Sequence, residues 1–158
     1  MKKYLIEIKW GLIFAFMGLI WMFIERSVGL HDRFIAHHAT YTNFIAIPAI
    51  LIYVLGLLEK RKVYYGGKMT YWQGVKTGLL ITLVVTILTP LTQWITLSII
   101  TPDYFENVIS YAVNSGKMPQ QEANDYFNFK SYLIQSILGA PIMGIVTSGM
   151  VAAFTVKR

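Results

Sequence analysis

The chain contains no cysteine among its 158 residues. That excludes disulfide staples, thiolate metal sites and cysteine nucleophiles. Charge is also scarce: Asp, Glu, Lys and Arg make up 14% of the residues, against about 25% in an ordinary soluble domain. No Gly-x-Ser-x-Gly elbow, phosphate-binding loop, dinucleotide fingerprint or His-Glu-x-x-His helix occurs. The sequence therefore assigns no catalytic residue and no cofactor. Nucleic acid is not an expected partner. The net charge is +6, but the basic residues sit at the ends of apolar runs, where membrane topology accounts for them.

Long apolar runs are what the chain has in abundance. Hydrophobic residues make up 55% of it, and the mean hydropathy is +0.51. A helix needs about 20 apolar residues to cross a bilayer, and four stretches qualify. The pattern is that of an all-α polytopic membrane protein, a single membrane domain over 1–158. Trp10 to Ile24 is uncharged, and extension back to Tyr4 gives a first span over 4–24. Glu7 and Lys9 then lie near the interface, able to snorkel. Its Lys-rich start resembles a signal peptide, but Glu25-Arg26 replaces a small-x-small cleavage site, so the span is read as retained. The second span covers 39–58 and should bend at Pro48. The third covers 71–100. It follows a Gly66-Gly67 turn, opens on a capping box of Thr70 and Gln73, and contains Pro90. The fourth covers 131–156, with Pro141 inside it.

Residues 102–130 read as an external amphipathic helical hairpin between spans three and four. Thr101 is a suitable N-cap and Pro102 a suitable first helical residue. Tyr104, Phe105, Val108, Ile109, Ala112 and Val113 fill one half of the following helix, and Gly116 ends it. From Pro119 the periodicity predicts one unbroken helix into the fourth span, roughly 57 Å long at ~1.5 Å per residue. Phe105 and Ile109 are expected to pack on Tyr126 or Phe127.

Two rows of small residues predict close helix packing. Gly74, Gly78, Thr82 and Thr86 recur every fourth position, as do Ala140, Gly144, Ser148 and Ala152. Gly11, Ala15 and Gly18 form a shorter set in the first span. His31, Asp32, His37 and His38 lack a helical metal-ligand spacing, so they read as a solvated loop with no metal assigned. Glu25 and Arg26 read as a local pair.

With both termini cytoplasmic, ten basic residues lie inside: Lys2, Lys3, Lys9, Lys60, Arg61, Lys62, Lys68, Lys76, Lys157 and Arg158. Four lie outside: Arg26, Arg33, Lys117 and Lys130. The asymmetry predicts that orientation by the positive-inside rule.

Several features together resemble a family of small bacterial membrane proteins, domain-of-unknown-function family 4199. They are the turn Tyr65-Gly-Gly67, the run Thr70-Tyr-Trp-Gln-Gly-Val-Lys-Thr-Gly-Leu-Leu-Ile81, and the segment Thr101-Pro102-Asp103-Tyr-Phe-Glu106. The resemblance implies a four-span protein of the inner membrane and transfers no catalytic residue. The expected role is an interaction or accessory subunit, in contact with the lipid bilayer and with a protein partner or a second copy. A small oligomeric channel or transporter is the rival, with a path lined by Asn43, Thr82, Thr86, Gln93 and Gln135. A lipid-processing enzyme using Asp103, Glu106, Glu122 or Asp125 is a third reading.

Overall fold

The computed structural model describes residues 4–157. Lys2, Lys3 and Arg158, counted above for orientation, lie outside them. The described chain is helical throughout: α1 (Leu5–Ser27), α2 (Ile35–Tyr41), a 3₁₀ stretch (Thr42–Ile45), α3 (Ala46–Val63), α4 (Tyr71–Ile95), a π turn (Thr96–Ile100), α5 (Tyr104–Asn114), α6 (Gln120–Tyr126) and α7 (Phe129–Thr155). Four segments are long and apolar enough to cross a membrane: Leu5–Ser27, Ile35–Val63, Tyr71–Ile100 and Phe129–Thr155. They pack with their large apolar side chains outward, Phe16, Phe23, Leu83, Ile87, Leu138 and Ile142 among them. In water such a surface would be costly; in lipid it is the expected exterior. We call the end holding the α3–α4 loop the basic end, and the end holding α2, α5 and α6 the cap end.

Helix α4 is central and packs most closely on α7. The two rows of small residues face each other in antiparallel register: Gly74 against Ala152, Gly78 against Ser148, Thr82 against Gly144. A Cβ at Gly78 would come within 2.6 Å of Ser148 Cβ, and one at Gly144 within 2.8 Å of Thr82 Cβ. The hydroxyls along this seam are satisfied within their own helices, Thr82 Oγ1 donating to the Gly78 carbonyl at 3.0 Å and Ser148 Oγ to the Gly144 carbonyl at 2.6 Å. Their methyl and methylene groups are thus left to pack. Tyr53 of α3 joins the seam through its hydroxyl, 2.7 Å from Thr82 Oγ1.

The capping box at α4 has both its bonds, Gln73 N–H to Thr70 Oγ1 at 3.4 Å and Thr70 N–H to Gln73 Oε1 at 2.9 Å. Nearby, Met69 and Lys157 form an isolated antiparallel bridge, and Arg61 donates to the Thr155 carbonyl at 2.7 Å. The C-terminus of α7 is thereby tied to the start of α4.

Pro48 is the third residue of α3 and follows the 3₁₀ stretch Thr42–Ile45, which holds the turn before its ring out of α geometry. Two local expectations are corrected. Thr101 does not cap α5; the N-cap is Asp103, and Thr101 is buried below it. The helix from Pro119 is not continuous into the fourth span. Asn128 is extended at φ −144° and its side chain accepts from the Ser131 N–H at 2.9 Å. That N-cap starts α7 afresh and leaves α6 free to fold back against α5.

Charge is buried at the basic end. Lys60 Nζ lies 2.8 Å from Glu7 Oε1, with both side chains at most 3% exposed. Beside it, Lys9 bonds Glu59 Oε1 at 2.6 Å, and the Trp10 ring N–H donates to Glu59 Oε2 at 2.7 Å. Glu7 therefore turns inward to α3 rather than snorkelling outward as expected.

Two outcomes check this packing by denaturation in detergent. Gly78→Leu should lower stability by about 1–3 kcal/mol through overpacking, whereas Gly18→Ala should not, because a Cβ there meets nothing within 4 Å. Lys60→Met should cost about 3–5 kcal/mol by stranding the buried Glu7 charge, and Glu7→Leu with Lys60→Met should recover most of it.

Candidate functional site

The cap end gathers the chain's other buried ionisable groups, and local backbone geometry is what collects them. Helix α1 stops at Ser27, and Gly29 takes a left-handed φ of +82°. The Leu30 N–H then bonds back to the Glu25 carbonyl at 2.9 Å, a six-residue closure that turns the chain over the helix end. His31 is laid on Glu25 by this reversal. Helix α2 follows and points His38 inward, while His37, one residue earlier and about 100° around the helix, is exposed. From the other side, the π turn at the end of α4 closes with the Thr101 N–H on the Thr96 carbonyl at 2.8 Å and delivers Tyr104 to the same place.

Glu25 is the hub. Its Oε2 lies 3.1 Å from His31 Nε2 and 3.3 Å from His38 Nε2, and its Oε1 accepts from the Trp21 ring N–H. Glu25 is 2% exposed and His31 4%. Outward from this triad, the Tyr104 hydroxyl lies 3.4 Å from His38 Nδ1 and 3.2 Å from the Tyr132 hydroxyl. The Asn107 side chain donates to the His31 carbonyl at 3.0 Å, and Arg26 donates to the Ile100 carbonyl. Burial raises the Tyr104 hydroxyl above its ordinary range, so it stays protonated as a donor. Among the described residues, Glu25, His31 and His38 form a group able to hold a metal ion. A carboxylate between two imidazoles can equally hold a proton.

Two cavities lie side by side here, and one of them reaches the triad. One of about 120 Å³ has His31, His38, Thr101, Tyr104 and Tyr132 in its walls. The other, of about 250 Å³, runs into the bundle past Ala15, Gly18, Thr89, Ser136 and Ala140. Met22, Gln93 and Thr96 line both. Gln93 also donates to Ser136 Oγ at 2.6 Å.

The loop reading is thus corrected for His31 and His38, which enter a buried site; it describes Asp32 and His37, which are exposed. Glu25 does not pair with Arg26. The small residues divide between two roles. Gly74, Gly78, Thr82, Gly144 and Ser148 lie in the α4–α7 seam, while Ala140, Ala15 and Gly18 line the larger cavity. Thr86 donates to the Thr82 carbonyl at 2.9 Å. Of the path residues, only Gln93 lines either of these cavities. Asn43 bonds the Ala39 carbonyl, and the exposed Gln135 bonds Ser131. On the cap, Phe105 and Phe127 both contact the Tyr132 ring, at 5.2 and 6.3 Å between centroids. Tyr126 stacks edge-on against Phe127 and is otherwise exposed, and Ile109 lines a groove with Gln120 and Asn124. Tyr132 was missed because it lies in the last apolar run, where an aromatic reads as lipid-facing. Glu25 had a usable signal. It stands 18 residues, five full turns at ~100° per residue, beyond Glu7, on the α1 face that also carries Gly11.

Set against known proteins, the chain belongs to a protein family of unknown function, DUF4199, whose model matches residues 9–157. No curated protein and no solved structure matches it.

Removing the hub has a measurable outcome. Glu25→Ala strands the Trp21 N–H and both imidazoles and should cost about 1–3 kcal/mol in detergent denaturation. Asp32→Ala, at an exposed residue that shares no partner with Glu25, should stay within about 0.5 kcal/mol.

Proposed function

We propose that this DUF4199 member works as an interaction or accessory subunit of an inner-membrane complex, with the cap of α5 and α6 as its contact surface. One observation carries the reading. The cap is pinned to the bundle by the network at Glu25, His38, Tyr104 and Asn107, while its other face stays exposed and acidic. Asp103, Glu106, Glu122 and Asp125 are exposed on this segment, against Lys117 and Lys130. A groove of about 350 Å³ between α5 and α6 offers Glu106, the amides of Asn114, Gln120 and Asn124, and the apolar Ile109 and Val113. Such a lining suits a protein segment carrying basic residues. The ten-to-four distribution of basic residues supports an orientation with both termini cytoplasmic and the cap outside.

The channel rival gains less support, because the polar residues named for its path do not gather along one cavity. The lipid-enzyme reading asks for two external carboxylates in one cleft. Of the four acids on the cap, the groove holds Glu106 alone.

Orientation is checked by cysteine labelling of intact cells. Cysteines at Ser27 and Ser115 should react with an impermeant reagent and one at Lys62 should not; the reverse pattern overturns the topology. Contact is checked with a zero-length carbodiimide cross-linker in native membranes. A discrete adduct should form with the parent and be lost in the double variant Asp103→Asn, Glu106→Gln. Absence of an adduct together with solute flux through the purified protein in liposomes would favour the channel instead.

A further inference from the structure

Two buried donors and a half-buried third converge at the cap end, on Glu25, His31 and His38. We propose that Glu25, His31 and His38 bind one divalent transition-metal ion, and that zinc fits the donor set best. Glu25 Oε2 lies 3.1 and 3.3 Å from the two Nε2 atoms, and the three donor atoms lie within 4.8 Å of one another. Ligands held at ~2.0–2.1 Å in a tetrahedron are about 3.3 Å apart. The two carboxylate–imidazole distances match that spacing, and an ion would draw the two imidazole nitrogens together from within 4.8 Å by rotation of the rings.

The chemistry of the donors selects the class of ion. Calcium and magnesium take oxygen ligands, whereas two imidazoles and a carboxylate suit zinc and its neighbours. Charge points the same way. Glu25 is buried, and Arg26 is turned away to the Ile100 carbonyl. The carboxylate then faces imidazoles, which carry charge only when protonated. A divalent ion compensates it at neutral pH with both rings neutral.

The surroundings resemble the outer shell of a metal site. Trp21 holds the second oxygen of Glu25, the Tyr104 hydroxyl faces His38 Nδ1 at 3.4 Å, and Asn107 fixes the His31 backbone. Such partners orient ligands, and Tyr104 is placed to fix the tautomer of His38; His31 Nδ1 is buried without a hydrogen-bond partner, and its ring is held through its backbone. Three protein ligands leave a fourth position for water or an exchangeable group. The adjoining 120 Å³ cavity, walled by Thr96, Thr101, Tyr104 and Tyr132, provides the room. The site shares Glu25, His38 and Tyr104 with the network that pins the cap, but the accessory-subunit reading is tested on the acidic outer face, so metal titration and cross-linking fail independently.

The test uses the full chain, purified in mild detergent without a histidine tag and stripped with chelator. It is titrated with Zn²⁺, and with Co²⁺ as a spectroscopic probe. One ion should bind per chain, with the visible absorption of four-coordinate cobalt and a raised thermal midpoint. His31→Gln and His38→Gln should abolish the cobalt spectrum, and the exposed His37→Gln should retain it. Tyr104→Phe should keep the stoichiometry and weaken affinity by about 10–100-fold, the usual effect of removing an outer-shell partner. His38 is 20% exposed at its side chain, which makes its variant the one best able to fold and decide the matter. The proposal is overturned if the parent binds no stoichiometric ion. It is equally overturned if folded His38→Gln keeps the parent's spectrum, or if His37→Gln loses as much as His38→Gln.

Discussion

The close approach of α4 and α7 is the constraint from which the rest of the bundle follows. Helices in lipid gain no hydrophobic energy by meeting, so contact depends on how near two backbones can come. Gly74, Gly78 and Gly144 allow that approach, and the opposing Ala152, Ser148 and Thr82 occupy the space. The other faces of α4 then take the remaining spans. Val84 packs on Gly11 of α1, and Ile81 reaches Gly56 of α3. Where the small residues are no longer matched by a neighbour, at Ala140 and Gly18, the seam opens into the cavity.

Among the described residues, buried ion pairs lie at the two ends of this frame, and both ends use the same helix face. Glu7 and Glu25 lie on one side of α1, each turned inward to nitrogen bases supplied by later parts of the chain. At the basic end the base is a lysine, and the pair lines a cavity of about 310 Å³ together with Tyr65, Gln73 and Lys76. At the cap end the bases are imidazoles, and the group opens on a cavity with hydroxyls around it. A single lysine–carboxylate pair suits fixed register between α1 and α3. Two imidazoles on one carboxylate offer donors to something that enters.

Much of the fold was legible because its signals are local or periodic. The spans follow from uninterrupted apolar runs, and the capping box from Thr70 and Gln73 alone. The facing rows carry the same four-residue spacing in both helices, which antiparallel packing requires. The cap-end site was not legible in this way. Glu25 and His31 are joined across a left-handed turn, His38 arrives from a separate helix, and Tyr104 comes after a π turn far along the chain. These residues share no single helix, so no helical repeat joins them and the histidines read as solvent-facing. Likewise the break at Asn128 was hidden by apolar periodicity on both of its sides. A single side-chain cap outweighed that pattern.

The Glu7–Lys60 pair has a consequence for how the chain is made. Lys60 leaves the ribosome about fifty residues after Glu7, an interval of roughly 3–10 s at ~5–20 residues per second. Throughout it the acid lacks its partner in the fold, with Lys2, Lys3 and Lys9 its only neighbouring bases in sequence. A carboxylate without its partner is costly in hydrocarbon, so Glu7 has reason to stay at the aqueous boundary until Lys60 arrives. The depth and register of α1 against α3 are then set only after the second span has been made.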